Sequence, residues 1–262
     1  MKFLEGEMKS SIVKALFIIQ SLILCFALCT ATIYAQPKAV FDDYFLDKAL
    51  RIDFYMIGDA KEEFITIDHL YQEEIWPENT NNLIDTFNNG RYAVKVYDVA
   101  SNLLIYSKGF DCMFGEYKTT TPALNGVKRT FNRSLHIPFP KRPILFVIES
   151  RDKKNLLHPL FSENIDPSDY HIIRETTHSN DFIYEALKNG DPHQKVDLAF
   201  LAEGYTAEDK DKFKSDVDRF SGYLFEIEPY KSAKSKFNIY GILRPSAESA
   251  MDEPRQGVFK KT

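Results

Sequence analysis

Between about Val40 and Ser150 the apolar side chains recur at every second position. Leu50, Ile52, Phe54 and Met56 alternate with Arg51, Asp53 and Tyr55; Phe131, Leu135, Ile137 and Phe139 fall on one side of a later run, and Ile144, Phe146 and Ile148 on one side of another. Successive side chains of a strand point to opposite faces, so this spacing predicts half-buried strands. RYAVKVYDVA and NLLIYSKGF lie between these runs, and Asn89-Gly90 marks a turn before the first of them. Six or seven short strands with little helical periodicity predict an antiparallel β-sandwich over residues 37–155, its topology open between Ig-like and jelly-roll.

The pattern then changes twice. Around residues 156–195 the regularity is broken by Asp152-Lys153-Lys154-Asn155, Asp166-Pro167 and Asn189-Gly190-Asp191-Pro192, which reads as a linker packed on both neighbours, with room for a short helix near Asp181–Lys188. From Val196, the run Val196, Leu198, Ala199, Phe200 and Leu201 predicts a strand buried on both faces. Thr206 is placed to cap a following helix, with Asp209 in the position of the capping-box Glu. Phe213, Val217, Phe220 and Leu224 share one face of that helix, Pro229 stops it, and FNIYGIL at 237–243 makes the next strand. Strand, crossover helix and strand in this order predict a right-handed parallel unit, so the chain as a whole reads as α+β and multidomain.

Ahead of the first strand, Lys9 and Lys14 precede an apolar run from about Ala15 to Ala35, which resembles a secretory signal peptide over residues 1–35 cut after Ala35. Met8 is an alternative start, because Glu5 and Glu7 sit poorly in a basic leader, and an uncleaved membrane anchor is the rival reading. Loss of Lys2, Lys9, Lys14, Glu5 and Glu7 takes Lys plus Arg from 33 to 30 and Asp plus Glu from 38 to 36, a net charge near −6. An acidic chain without a long basic run lacks the footprint of a nucleic-acid binder. Of the three cysteines only Cys112 would remain, so the exported chain would have no internal disulfide and its core must supply the stability.

The chemistry is thin. The six histidines are His69, His136, His158, His171, His178 and His193, and no two are four residues apart, as an HExxH zinc helix requires. GEYKTTT at 115–121 has the groups to bind a sugar but fits an edge strand better. SAES at 246–249 lacks the turn and the paired His of a serine nucleophile, Gly204 and Gly241 belong to no phosphate loop, and Asp252-Glu253-Pro254 reads as a solvated turn rather than a cleft wall. No residue is assigned as catalytic, cofactor-binding or metal-ligating.

Three uncommon strings, FDDYFLDKALRIDFYMIGD at 41–59, YSKGFDCMFGEYKTT at 106–120 and FNRSLHIPFPKRPILFVIESRD at 131–152, resemble the N-terminal domain of the IgA-peptidase-like zinc metallopeptidases, peptidase family M sixty-four. VDLAFLAEGYTAEDKDKFKSDVDRFSGYLFEIEPYKSAKSKFNIYGILRPSAESAMDEP resembles the start of that family's catalytic domain. The resemblance implies a β-sandwich followed by a zincin-type α/β peptidase domain, whose zinc-binding helix lies downstream of the matched segment. Residues 196–262 are accordingly expected to be a truncated start of the catalytic domain, inert alone, with zinc expected only in a full-length member. Its partners would be the missing catalytic portion or a polypeptide substrate, with no nucleic acid, and membrane contact only through an uncleaved leader. The alternatives are an exported protein- or glycan-binding module and one half of a split peptidase.

Overall fold

Alternation over residues 50–56 becomes the strand on which the N-terminal part is built. The computed structural model describes residues 38–174 and 181–261, and those from Ala39 onward form one compact unit. The leader segment 1–35 and His178 lie outside the described residues. In chain order the elements are α1 (Phe41–Tyr44), β1 (Phe45–Gly58), β2 (Glu63–Gln72), β3 (Tyr92–Asp98), β4 (Leu104–Phe110), α2 (Met113–Tyr117), α3 (Thr121–Leu124), β5 (Arg129–Pro140), β6 (Ile144–Arg151), β7 (Leu157–Ile165), β8 (Phe182–Leu187), β9 (Val196–Leu201), α4 (Lys210–Leu224) and β10 (Phe237–Leu243).

Two antiparallel sheets make the N-terminal part, one ordered β2-β1-β5 and the other β4-β3-β6-β7. In β1, Leu50, Ile52, Phe54 and Met56 are fully buried while Arg51, Asp53 and Tyr55 are half-buried, as the period of two requires. These four join Ile137 of β5 and Val94, Val96, Ile144, Phe146 and Ile148 of the other sheet in one hydrophobic cluster. Trp76, Leu83 and Phe114, from the connections, close it. Gly90 supplies the turn into β3 with φ +90°, where a Cβ would come within 2.7 Å of the Phe110 carbonyl oxygen.

Several local readings are corrected. Residues 157–165, assigned to the linker, form β7 and pair with β6, and Ile165 and Ile172 belong to the N-terminal core. The helix allowed at Asp181–Lys188 is the strand β8, antiparallel to β10. The segment 115–121 is no edge strand: it holds the end of α2, and the hydroxyls of Thr119 and Thr120 donate to the carbonyls of Glu116 and Tyr117 at 2.8 Å each, satisfying a helix end. Lys118 ties this turn to β2 through an ion pair with Glu63 at 2.6 Å. The helix after β9 begins at Lys210, not at Thr206, because the Asp209 carboxylate accepts the Thr206 amide at 2.9 Å and its hydroxyl at 3.0 Å, holding 206–209 as a turn ahead of the helix.

The C-terminal part is a three-stranded mixed sheet, β8-β10-β9, with β10 parallel to β9 as the strand–helix–strand order predicts. Phe213 and Val217 of α4 are buried against Ile239 and Leu243. Gly241 permits that approach, since a Cβ there would stand 2.9 Å from the Phe213 ring and 3.0 Å from Val217. This core has no buried residue in common with the N-terminal one.

The β3–β4 turn hangs on a buried charge. The Asp98 carboxylate is fully buried, accepts the Ser101 amide at 2.8 Å and its hydroxyl, and pairs with Arg142 from the β5–β6 connection. Burial pushes its pKa up, but the Ser101 and Arg142 donors outweigh burial and the net displacement is downward. Its stabilisation is therefore complete above the unfolded carboxylate value and lost as pH falls through the lower folded one. Asp98→Ala should cost roughly 2–3 kcal/mol at neutral pH. Urea midpoints of the two proteins should converge as the solution is made more acidic than about pH 4, the ordinary Asp value.

Candidate functional site

Among the described residues the C-terminal sheet has one face packed against α4 and one face with exposed apolar positions. On the first, Leu198, Phe200, Phe182 and Tyr184 pack with the α4 core. On the second, Ile242 is registered opposite Ile183 on one side and Leu201 on the other, making an apolar row across all three strands. Ile183 is 62% exposed and Leu201 74% exposed. β9, expected to be buried on both faces, is instead an edge strand: among the described residues no strand pairs with its free side. A row of unpaired amides and carbonyls beside an exposed apolar row is suited to accept a further strand and a covering layer.

At the carboxyl ends of the parallel strands, where α/β sheets place ligand clefts, the loops are stitched to each other. Gly204, at φ +73°, donates its amide to the Ser246 hydroxyl at 3.0 Å and accepts the Ala250 amide at 2.9 Å. Ser246 is thereby spent on backbone support. Arg244 makes paired 2.9 Å bonds with Asp181 just ahead of β8. Asp252 and Glu253 are both exposed, and they close a surface turn, Asp252 by accepting the Lys260 amide on its carboxylate and Glu253 through backbone bonds with Val258.

A recess of about 450 Å³ opens on the N-terminal part beside β1, β2 and β5, with Lys48, Glu73, Glu74, Glu78, His136 and Arg174 on its walls. Glu73 is already compensated: it receives Arg51 at 2.6 Å and His136 at 3.0 Å. Arg51 also pairs with Asp53 at 3.1 Å and lies 3.9 Å over the Tyr71 ring. Ser134 donates to Asp53 at 2.6 Å and contacts no histidine among the described residues. Such a network can hold the polar groups of a ligand, but it has no activated nucleophile.

The five described histidines do not converge. His69 is paired with Asp68, His136 with Glu73, His158 with Asp152, His171 with Asp169 and His193 with Asp47, at distances of 2.9–3.3 Å. Among the described residues no group of three His, Cys, Asp or Glu side chains is placed to hold a metal ion together. Cys112, half-buried, directs its thiol at the Met56 sulfur at 3.3 Å and is a packing residue. β8 could have been read from the sequence: Phe182, Tyr184 and Ala186 alternate with Ile183 and Glu185.

A β-rich body with its own core is followed by a strand–helix–strand unit with a separate core and an exposed sheet face. The family model described as Peptidase M64 N-terminus matches residues 40–162, and that described as IgA Peptidase M64 matches residues 184–262. The chain belongs to the IgA-peptidase M64 family. No curated protein matches the chain. The first match ends within β7 and the second starts within β8, so each covers most of one of the two cores.

If the apolar row is a docking face, it should be sticky without being needed for folding. The double variant Ile183→Lys, Leu201→Lys should keep the wild-type circular dichroism and lose concentration-dependent self-association in sedimentation velocity, because exposed substitutions change stability by only about 0.5 kcal/mol. Equal self-association in both proteins would show that the row is not the contact.

Proposed function

We propose that the protein is the N-terminal part of an exported peptidase of the IgA-peptidase type. In this reading the two antiparallel sheets form a β-sandwich domain, the C-terminal unit is the opening crossover of a zincin-like catalytic domain, and the described residues cleave no peptide bond unaided. The uncovered face of the C-terminal sheet carries the reading: an apolar row from Ile183 to Leu201 and a free β9 edge support a domain completed by further structure. The partner is then the rest of a catalytic domain, in the same polypeptide or in a second one, with a polypeptide as substrate. The charge-compensated recess beside His136 supports a second reading, a module that holds a protein or glycan.

The purified chain should contain no stoichiometric zinc and should not cleave unfolded casein. Equimolar zinc that a chelator removes together with proteolysis would contradict the proposal.

Export rests on the leader pattern. Among the described residues no helix is long and apolar enough to cross a membrane. Mass spectrometry of the chain from its producing cells should find Gln36 as the first residue; an intact leader in the membrane fraction would make it an anchor.

A further inference from the structure

His193 stands between the two parts and is held rigidly by one of them. Asp191 accepts the His193 backbone amide at 2.8 Å in the turn that precedes β9. Asn238, fully buried in β10, binds that turn's approach: its side-chain oxygen accepts the Asn189 amide at 2.8 Å and its nitrogen donates to the Gly190 carbonyl at 3.0 Å. The imidazole therefore moves with the C-terminal sheet. Its two nitrogens reach the other part: Nδ1 lies 3.0 Å from the Glu78 carbonyl oxygen, and Nε2 lies 3.3 Å from the Asp47 carboxylate. Asp47 is anchored in turn, accepting the amide of the fully buried Trp76 at 3.3 Å.

Both targets are acceptors. A carbonyl oxygen has no proton, and an ionised carboxylate has none either, so each contact needs an N–H from the ring. A neutral imidazole has one N–H and can make one of the two bonds; the imidazolium has two and makes both. We propose that His193 is a protonation-dependent clasp, locking the C-terminal α/β unit to the N-terminal two-sheet body when the ring is charged and loosening it when the ring is neutral.

The surroundings agree with the geometry. Facing the ring are Asp47 from β1 and the Glu78 carbonyl from the loop after β2, with Asp191 on its own turn, while Lys48 and the Glu78 side chain line the adjoining recess. Burial pulls the His193 pKa down, but the Glu78 carbonyl, Asp47 and Asp191 pull it up more strongly, and it ends above the usual value of 6.5. Because the docked value is raised, the clasp is complete below the undocked pKa and is lost as pH rises through the docked one. Clasp geometry couples directly to β9, which starts at Val196 and forms one edge of the C-terminal sheet.

The test uses the full chain. Nitrogen NMR of the labelled protein should show both His193 ring nitrogens protonated at pH 6 and a titration midpoint displaced upward from 6.5. Small-angle scattering should show the radius of gyration stepping up across the same midpoint; His193→Gln should abolish the step, and Asp47→Asn should lower the midpoint. A ring with a single N–H at pH 6 in the wild type, or a step that persists unchanged in His193→Gln, overturns the clasp. Should His193→Gln fail to fold, the wild-type ring titration decides alone.

Discussion

The N-terminal body depends on one face of one strand. β1 is the middle strand of its sheet, and Leu50, Ile52, Phe54 and Met56 all point into the cluster shared with the second sheet. Each such side chain contributes roughly 1.5–3 kcal/mol by leaving water. The period of two makes the arrangement intolerant of register error, since a slip of one residue would turn Arg51, Asp53 and Tyr55 inward. The polar groups beside the core are consistent with that constraint: buried Asp98 and half-buried Glu63 receive donors from the β3–β4 turn and Arg142, and from Lys118 just after α2, respectively.

The C-terminal unit obeys the same rule on one side only. α4 covers β10 through Phe213 and Val217, and Gly241 makes the contact close enough to exclude water. The opposite face retains an exposed apolar row that includes Ile183 and Leu201. The two M64 family matches follow the two cores.

Much of the fold was legible because burial leaves a periodic trace. The even positions of β1, the Ile144–Ile148 alternation and FNIYGIL at 237–243 appear in the structure as read. Readings failed where local chemistry outweighed period or where punctuation hid it. Thr119 and Thr120, favourable in a strand, end a helix because their hydroxyls satisfy its last carbonyls. Leu157–Ile165 and Phe182–Leu187 were obscured by the neighbouring Asp, Asn, Gly and Pro, and the β9 run looked buried because composition does not tell an edge strand from a central one. For the candidate site, the lack of HExxH spacing was readable, whereas the His193 contacts with Asp47 and Glu78 join residues more than a hundred positions apart and leave no local trace.

One core is closed, and among the described residues the other is covered on a single face. Native-state hydrogen exchange of the full chain measures this directly, because amides report the opening free energy of the unit that holds them. Amides of β1, β3 and β6 should exchange only through global opening of the N-terminal body, whereas those of β10 and α4 should exchange through a separate opening of distinctly lower free energy. A single shared opening free energy for β1, β6 and β10 would contradict the account.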